Sequence, residues 1–121
     1  MGDLRPLTLG TELGRAPTSA VVEMGAYTGN DAGWQTLVEW TVPDGTGVLR
    51  EVAFTLDGAG AAVYRLEAAG VELFTDFTPE RDVNLPFPNV RLPEGAVVTL
   101  QVHSDGVTNI TVNGSITGGV V

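Results

Sequence analysis

The last third of the chain, residues 92–121, alternates apolar and polar residues between three turn signals. These signals are Pro93-Glu94-Gly95, Asp105-Gly106 and Asn113-Gly114. Asp-Gly and Asn-Gly tolerate the positive φ angles of tight hairpins, and between alternating hydrophobic runs they are strong hairpin markers. The stretch therefore predicts an antiparallel meander with a turn at each of the three positions.

The remainder of the chain continues this pattern of short apolar runs broken by glycine, proline, asparagine and aspartate. Strands are predicted at residues 20–27, 34–42, 48–56, 62–67 and 71–74, followed by runs around Leu85, Val98, Ile110 and Ile116. About eight strands spaced by 8–12 residues are typical of a sandwich or barrel. We predict an all-β protein, an antiparallel β-sandwich resembling a jelly roll.

Period-two alternation predicts which side chains of each strand enter the core. In the second strand Trp34, Val38, Trp40 and Val42 share the inward face, with Leu37 as an exception to the alternation. In the third strand the predicted inward residues are Val52, Phe54 and Leu56. The segment Leu85-Pro86-Phe87-Pro88 is predicted to be an edge strand or an extended crossing segment, since proline cannot donate to a central ladder.

The first 17 residues differ from the rest and are predicted to form an N-terminal arm, with residues 18–121 as a single sandwich domain. Prolines and glycines interrupt this arm, yet it carries Leu4, Leu7, Leu9 and Leu13. Four leucines are too many to leave in water, so they need a packing partner in the same chain or in a neighbouring one. We predict that these leucines are interface residues.

Charge and composition restrict the partners. The 121 residues carry a net charge of −9, and all six basic residues are arginine. This sign disfavours direct binding to nucleic acid or to an anionic membrane surface. The absence of lysine fits either a GC-rich genome or the acidic surface of a halophile. The chain has no cysteine, no signal-peptide pattern and no apolar run long enough for a membrane span.

No arrangement of residues typical of catalysis is visible in the sequence. The only histidine, His103, stands beside Ser104 and Asp105 on a predicted strand. Adjacent strand residues point to opposite faces, so these three cannot form a triad by themselves, and His103 is predicted to face solvent. We predict that the protein is not an enzyme and uses no cofactor.

Two kinds of binding site have to be weighed against ordinary solvated or packed residues. Loop residues with oxygen ligands could hold calcium. They are Asn30, Asp31, Asp44, Asp57, Asp76 and Asp82. Their spacing matches no EF-hand, and we predict no metal site. Aromatic residues could form a sugar-stacking platform, although alternation places both tryptophans in the core. Trp34, which follows Gly33, is the more accessible of the two.

The segment from Val83 to Gly118 resembles small jelly-roll accessory proteins of tailed-phage virions, which include capsid decoration proteins. The resemblance rests on Asn84-Leu85-Pro86-Phe87, on the run from Val90 to Leu100, on the Asp-Gly hairpin and on residues 114–118. It implies a structural role, commonly as a trimer seated on a capsid lattice, and it carries over no catalytic residue. The acidity of the chain fits the outer side of a shell better than the side facing DNA.

Two classes of function follow. The first is a non-enzymatic structural virion protein, made in the host cytoplasm and located on the outer capsid surface. It would form a symmetric homo-oligomer, with a trimer favoured, and bind the major capsid protein or another virion protein. The second is a carbohydrate-binding or receptor-binding β-sandwich module of a tail, a spike or a cell surface.

Overall fold

A computed structural model of the protein describes residues 19–121, which contain eight β-strands and no helix. Their bounds are β1 Ser19–Gly29, β2 Gln35–Thr41, β3 Gly47–Phe54, β4 Val63–Ala68, β5 Val71–Phe77, β6 Val83–Leu92, β7 Val97–His103 and β8 Ile110–Val120. The predicted arm, and with it Leu4, Leu7, Leu9 and Leu13, lies outside the described residues. No helix in the described part of the chain has the length and apolarity needed to span a bilayer.

The strands form two four-stranded antiparallel sheets. The first sheet has the order β1-β8-β3-β6 and the second has the order β2-β7-β4-β5. In sequence, β1 pairs with β8, β2 with β7, β3 with β6 and β4 with β5. The chain is thus one long hairpin whose arms are wrapped into two sheets, which is the connectivity of a jelly roll. The predicted fold class is confirmed.

The core lies between the two sheets and is built from the inward positions that alternation predicts. Tyr64, Leu66, Val98, Leu100 and Val102 are all fully buried. The prolines of β6 also lie as predicted, because β6 is an edge strand of the first sheet and Pro86 and Pro88 are exposed.

The strand prediction around the tryptophans is wrong at one point, because β2 contains a bulge. The pairing register with β7 shifts between Thr36 and Val38, so Leu37 is an extra residue and is buried together with Val38. A bulge exchanges the two faces of a strand. Trp40 therefore lies in the core as expected, whereas Trp34 lies on the outer surface of the second sheet.

The Asn113-Gly114 hairpin is not formed. Both residues lie within β8, which continues to Val120. Gly114 faces inward, and a Cβ atom there would lie 2.7 Å from Leu37 Cδ2 and 2.9 Å from Leu100 Cδ2. This glycine makes room for core side chains rather than for a turn. The other two turns form, with positive φ angles of 83° at Gly95 and 92° at Gly106.

Two further strand limits differ from the sequence pattern. β3 ends at Phe54, so Leu56 follows the strand and is 38% exposed instead of pointing into the core. β5 continues beyond Phe74 to Phe77, because two register shifts against β4 and a left-handed residue, Asp76 with φ 54°, let it follow its neighbour. Neither irregularity has a marker in the alternation.

The two long sides of the sandwich differ. On one side the edge strands β1 and β2 contact each other, and a Cβ atom at Gly25 would overlap the carbonyl oxygen of Leu37. On the other side β5 and β6 make no comparable contact. Phe74 of β5 and Leu85 of β6 are only partly buried there. The sandwich is closed along β1 and β2 and open along β5 and β6.

Candidate functional site

The outward surface of the first sheet, which we call the front face, carries Val22 and Met24, the most exposed large hydrophobic residues of the described strands. Register fixes its rows, one of which runs from Met24 through Ser115 and Ala53 to Asn84. A second row runs from Val22 through Thr117 and Glu51 to Pro86. A third row runs from Ala20 through Gly119 and Val48 to Arg91. Together with Ala26 and Asn113 these three rows form the front face.

Apart from Thr28, the outward positions of β1 are apolar, which is the reverse of an ordinary surface strand. They are Ala20, Val22, Met24 and Ala26, and Val22 and Met24 are 61% and 78% exposed. Single exposed hydrophobic residues are normal on a protein surface, but a contiguous set indicates an interaction site. Sequence analysis missed this set, because Val21 and Tyr27 make the other side of β1 apolar as well.

A cleft of about 350 Å³ opens beside Met24 on the front face. Ala53 is small enough to leave a depression between Ser115 and Asn84, and Asn113 and Thr55 line its end. Thr55 Oγ1 accepts a hydrogen bond from the Asn113 backbone at 3.0 Å, which fixes the loop after β3 to β8. The cleft therefore has one apolar wall and a rim of amide and hydroxyl groups, to which Asp82 adds a carboxylate.

The front face also carries little net charge. Glu51 and Arg91 have opposite charges, and Asp82 lies at the cleft. The first 18 residues contain two acids and two arginines and are neutral, so the whole net charge of −9 lies in residues 19–121. Since like charges disfavour close approach, this face is better suited to self-association than the acidic remainder of the surface.

A second cluster lies on the outer surface of the second sheet, around the half-buried Trp34. The Arg65 guanidinium carbon lies 4.6 Å from the centre of the Trp34 ring, and His103 meets that ring edge-on at 4.4 Å. Arg65 Nε and Nη2 donate to Gln101 Oε1 at 2.8 and 2.6 Å. One face of the indole is therefore covered by a fixed cation, which is a favourable packing arrangement in itself.

His103 is half-buried rather than fully exposed, because Trp34 packs against it. Its Nδ1 lies 2.6 Å from the carbonyl oxygen of Ser104, so Nδ1 is the protonated nitrogen that donates. Ser104 is fully buried, and its hydroxyl donates to the carbonyl of Thr108. The serine proton is thus directed away from the imidazole, and these residues do not form a nucleophile and base pair.

Of the calcium candidates, Asp57 and Asp82 bind backbone amides, and Asp31 accepts from the Tyr27 hydroxyl at 3.1 Å. Asp57 Oδ2 accepts from Ala59 N and Ala61 N, both at 3.2 Å, and Asp82 Oδ1 accepts from Leu56 N at 2.8 Å. Within residues 19–121 no group of three or more histidine or acidic side chains is placed to hold a metal ion. The calcium candidates that form these bonds are loop-stabilising residues.

Asp105 is the most strongly bound of these carboxylates. Its oxygens accept from Thr108 N at 2.7 Å, Val107 N at 2.8 Å and Thr108 Oγ1 at 2.9 Å. These bonds, with the Thr108 backbone first, lower the pKa of Asp105 from 3.8 to about 2. In its charged form the Asp105 side chain therefore holds the β7–β8 loop in place.

We expect the Asp105 carboxyl to titrate at about 2 in the folded protein and near its ordinary value of 3.8 in the unfolded chain. Because the folded pKa is the lower one, the stabilisation is complete above 3.8 and is lost as the pH falls through about 2. NMR titration of the side-chain carboxyl measures this pKa directly. Acid unfolding of Asp105→Asn should lack this part of the pH dependence, and a carboxyl that titrates near 3.8 in the folded protein would contradict it.

Comparison of the chain with protein-family models, with curated proteins and with solved structures yields no match.

Proposed function

We propose that this protein is a non-enzymatic structural component of a tailed-phage virion, most specifically a decoration protein on the outer capsid surface. In this proposal it forms a symmetric homo-oligomer, with a trimer favoured, and binds the major capsid protein. Leu4, Leu7, Leu9 and Leu13 belong to its contacts with neighbouring subunits.

The observation that carries this proposal is the exposed apolar strand of the front face. Val22 and Met24 lie only a few residues after the leucine-bearing arm, on a surface of low net charge in an otherwise acidic domain. Such a surface suits binding to another protein. The resemblance of residues 83–118 to virion accessory proteins, together with the jelly-roll connectivity, points to the same class.

The test uses the full-length chain with purified capsids of the phage that encodes it. We expect saturable co-sedimentation with the capsids and, by analytical ultracentrifugation, a stable oligomer at micromolar concentration. Capsids already saturated with unlabelled protein serve as the control for specific binding. A strictly monomeric chain that does not sediment with capsids would exclude the proposal.

Carbohydrate binding is the second candidate, and Trp34 is the observation that favours it. This ring lies on the outer surface of the second sheet beside Arg65 and Gln101, groups that could bind sugar hydroxyls. Glycan-array screening with wild type and Trp34→Ala tests it. Binding that the substitution abolishes would favour this function, whereas an array without signal would remove it.

A further inference from the structure

We infer that the front face is the receptor for the N-terminal leucine segment of a second copy of this chain. One apolar side chain of that segment would enter the cleft beside Met24. The inference rests on the proposed function in one respect, namely that the protein is a homo-oligomer. It adds two points to the proposed function: the surface that the arm contacts, and that this surface belongs to a second copy of the chain.

The apolar stripe of β1 has no cover from the described residues. Met24 is 78% exposed and Val22 is 61% exposed, and they stand two residues apart on the same side of the strand. Exposing these side chains is unfavourable by roughly 25 cal/mol per Å² of apolar surface, and a partner would recover that free energy. Residues 1–18 also carry apolar side chains that require a partner, since they contain four leucines and no net charge.

Charge favours the arm over the body of a second subunit as the occupant. Two domains of −9 each repel, whereas a neutral segment can approach a face on which Glu51 and Arg91 have opposite charges. Among the polar groups of the cleft, the Asp82 carboxylate already accepts a hydrogen bond from Leu56 N. The side chains of Asn84 and Ser115 have no hydrogen-bond partner among the described residues and can bind the backbone of an incoming segment.

The partner meets the face of β1 rather than its edge. β1 is an edge strand of the first sheet, and Glu23 occupies an inward position of this strand while remaining exposed. An inward charge on an edge strand discourages the addition of another apolar strand. The outward side of β1 carries no such charge, so docking occurs across the front face.

The place where the arm joins the domain favours exchange between copies. The arm enters at Ser19, and Met24 lies five residues, about 17 Å, further along the strand. The arm of the same chain would have to reverse sharply at Ser19 to run back over its own strand. Eighteen residues can span at most about 60 Å, which is enough to reach an adjacent subunit.

The chain has no cysteine, so single-cysteine variants give an unambiguous test in the full-length protein. The variants Leu9→Cys and Met24→Cys are purified separately, mixed and treated with a short bismaleimide. The experiment is repeated at other arm positions with Leu4→Cys, Leu7→Cys and Leu13→Cys. The matched control replaces Met24→Cys by Val107→Cys, because Val107 is 81% exposed in the β7–β8 loop. We expect a covalent dimer that contains both variants, enriched about tenfold or more over the control mixture.

Two outcomes would overturn the inference. A Leu9→Cys/Met24→Cys double variant that cross-links only within one chain would mean that each arm covers its own domain. The absence of any cross-link between an arm cysteine and residue 24 would mean that another partner occupies the face. Loss of capsid binding with intact cross-linking would instead exclude the proposed function and leave this inference standing.

A second measurement does not depend on cross-linking. Val22→Asp/Met24→Asp should raise the dissociation constant of the oligomer at least about tenfold, because two charges would enter an apolar contact. Val107→Asp is the control and should leave the oligomer unchanged. Val22 and Met24 are exposed in the single chain, so their replacement should not prevent folding. Thermal unfolding of the variants checks this. An unchanged sedimentation coefficient in the double variant would contradict the inference.

Discussion

Phe54→Ala is expected to lower the free energy of unfolding by roughly 3–5 kcal/mol, the typical cost of removing a buried aromatic side chain. Phe54 is 2% exposed and ends β3 inside the sandwich. Its ring centre lies 4.3 Å from that of Tyr64, 5.8 Å from Phe77 and 5.9 Å from Phe74. Alanine would leave a cavity among three rings that are fixed by their own strands.

Leu56→Ala is the matched control for this substitution. Alternation assigns Phe54 and Leu56 to the same inward face, but Leu56 lies beyond the end of β3 and is 38% exposed. Its truncation should cost less than about 1 kcal/mol, because little buried surface is lost. Urea titration of both variants measures the difference. Equal losses at the two positions would mean that β3 extends to Leu56 with the alternation intact.

Gly25→Ala is expected to destabilise the protein by about 3 kcal/mol, near the upper end of the usual cost of overpacking. The added Cβ would overlap the carbonyl oxygen of Leu37, a backbone atom that cannot rotate away. Relief requires β1 and β2 to separate along the closed side of the sandwich. The thermal unfolding temperature should therefore fall clearly below that of wild type.

Gly33→Ala is the control for the glycine substitution. It lies in the loop between β1 and β2, and a Cβ atom there would have no neighbour within 4 Å. Alanine at this position should change stability by less than about 0.5 kcal/mol. A similar loss in both variants would show that chain flexibility, rather than the approach of Leu37 to Gly25, determines the cost.

Much of the sandwich follows from local pattern. The burial of Tyr64 and Leu100, the turn at Asp105-Gly106 and the edge position of the prolines in β6 were all predictable from residue type and spacing. The face of Trp34 was not. It depends on the bulge at Leu37, and nothing in the alternation distinguishes an inserted residue from an ordinary apolar exception.

The front face could not be derived from the sequence for a related reason. β1 is apolar on both sides, with Val21 on one and Val22 on the other, so periodicity does not indicate which side is buried. Only the packing of β1 against β2 decides which side is buried. In that packing the backbone of Leu37 lies close to Gly25. The leucines of the arm remain a sequence prediction, whose partner surface the cysteine experiment tests.

By itself, the sequence determined the all-β class, the places where most strands begin and turn, and most inward residues of the strands with clean alternation, with Leu56 as an exception. Those features depend on neighbours two residues apart, where the pleat imposes its own period. The tertiary structure alone decided that Asn113-Gly114 stays within β8 and that Met24 faces outward. Both depend on residues far apart in the chain. Gly114 leaves room for the side chains of Leu37 and Leu100, and Met24 faces away from the core because β1 packs against β2 on its other side.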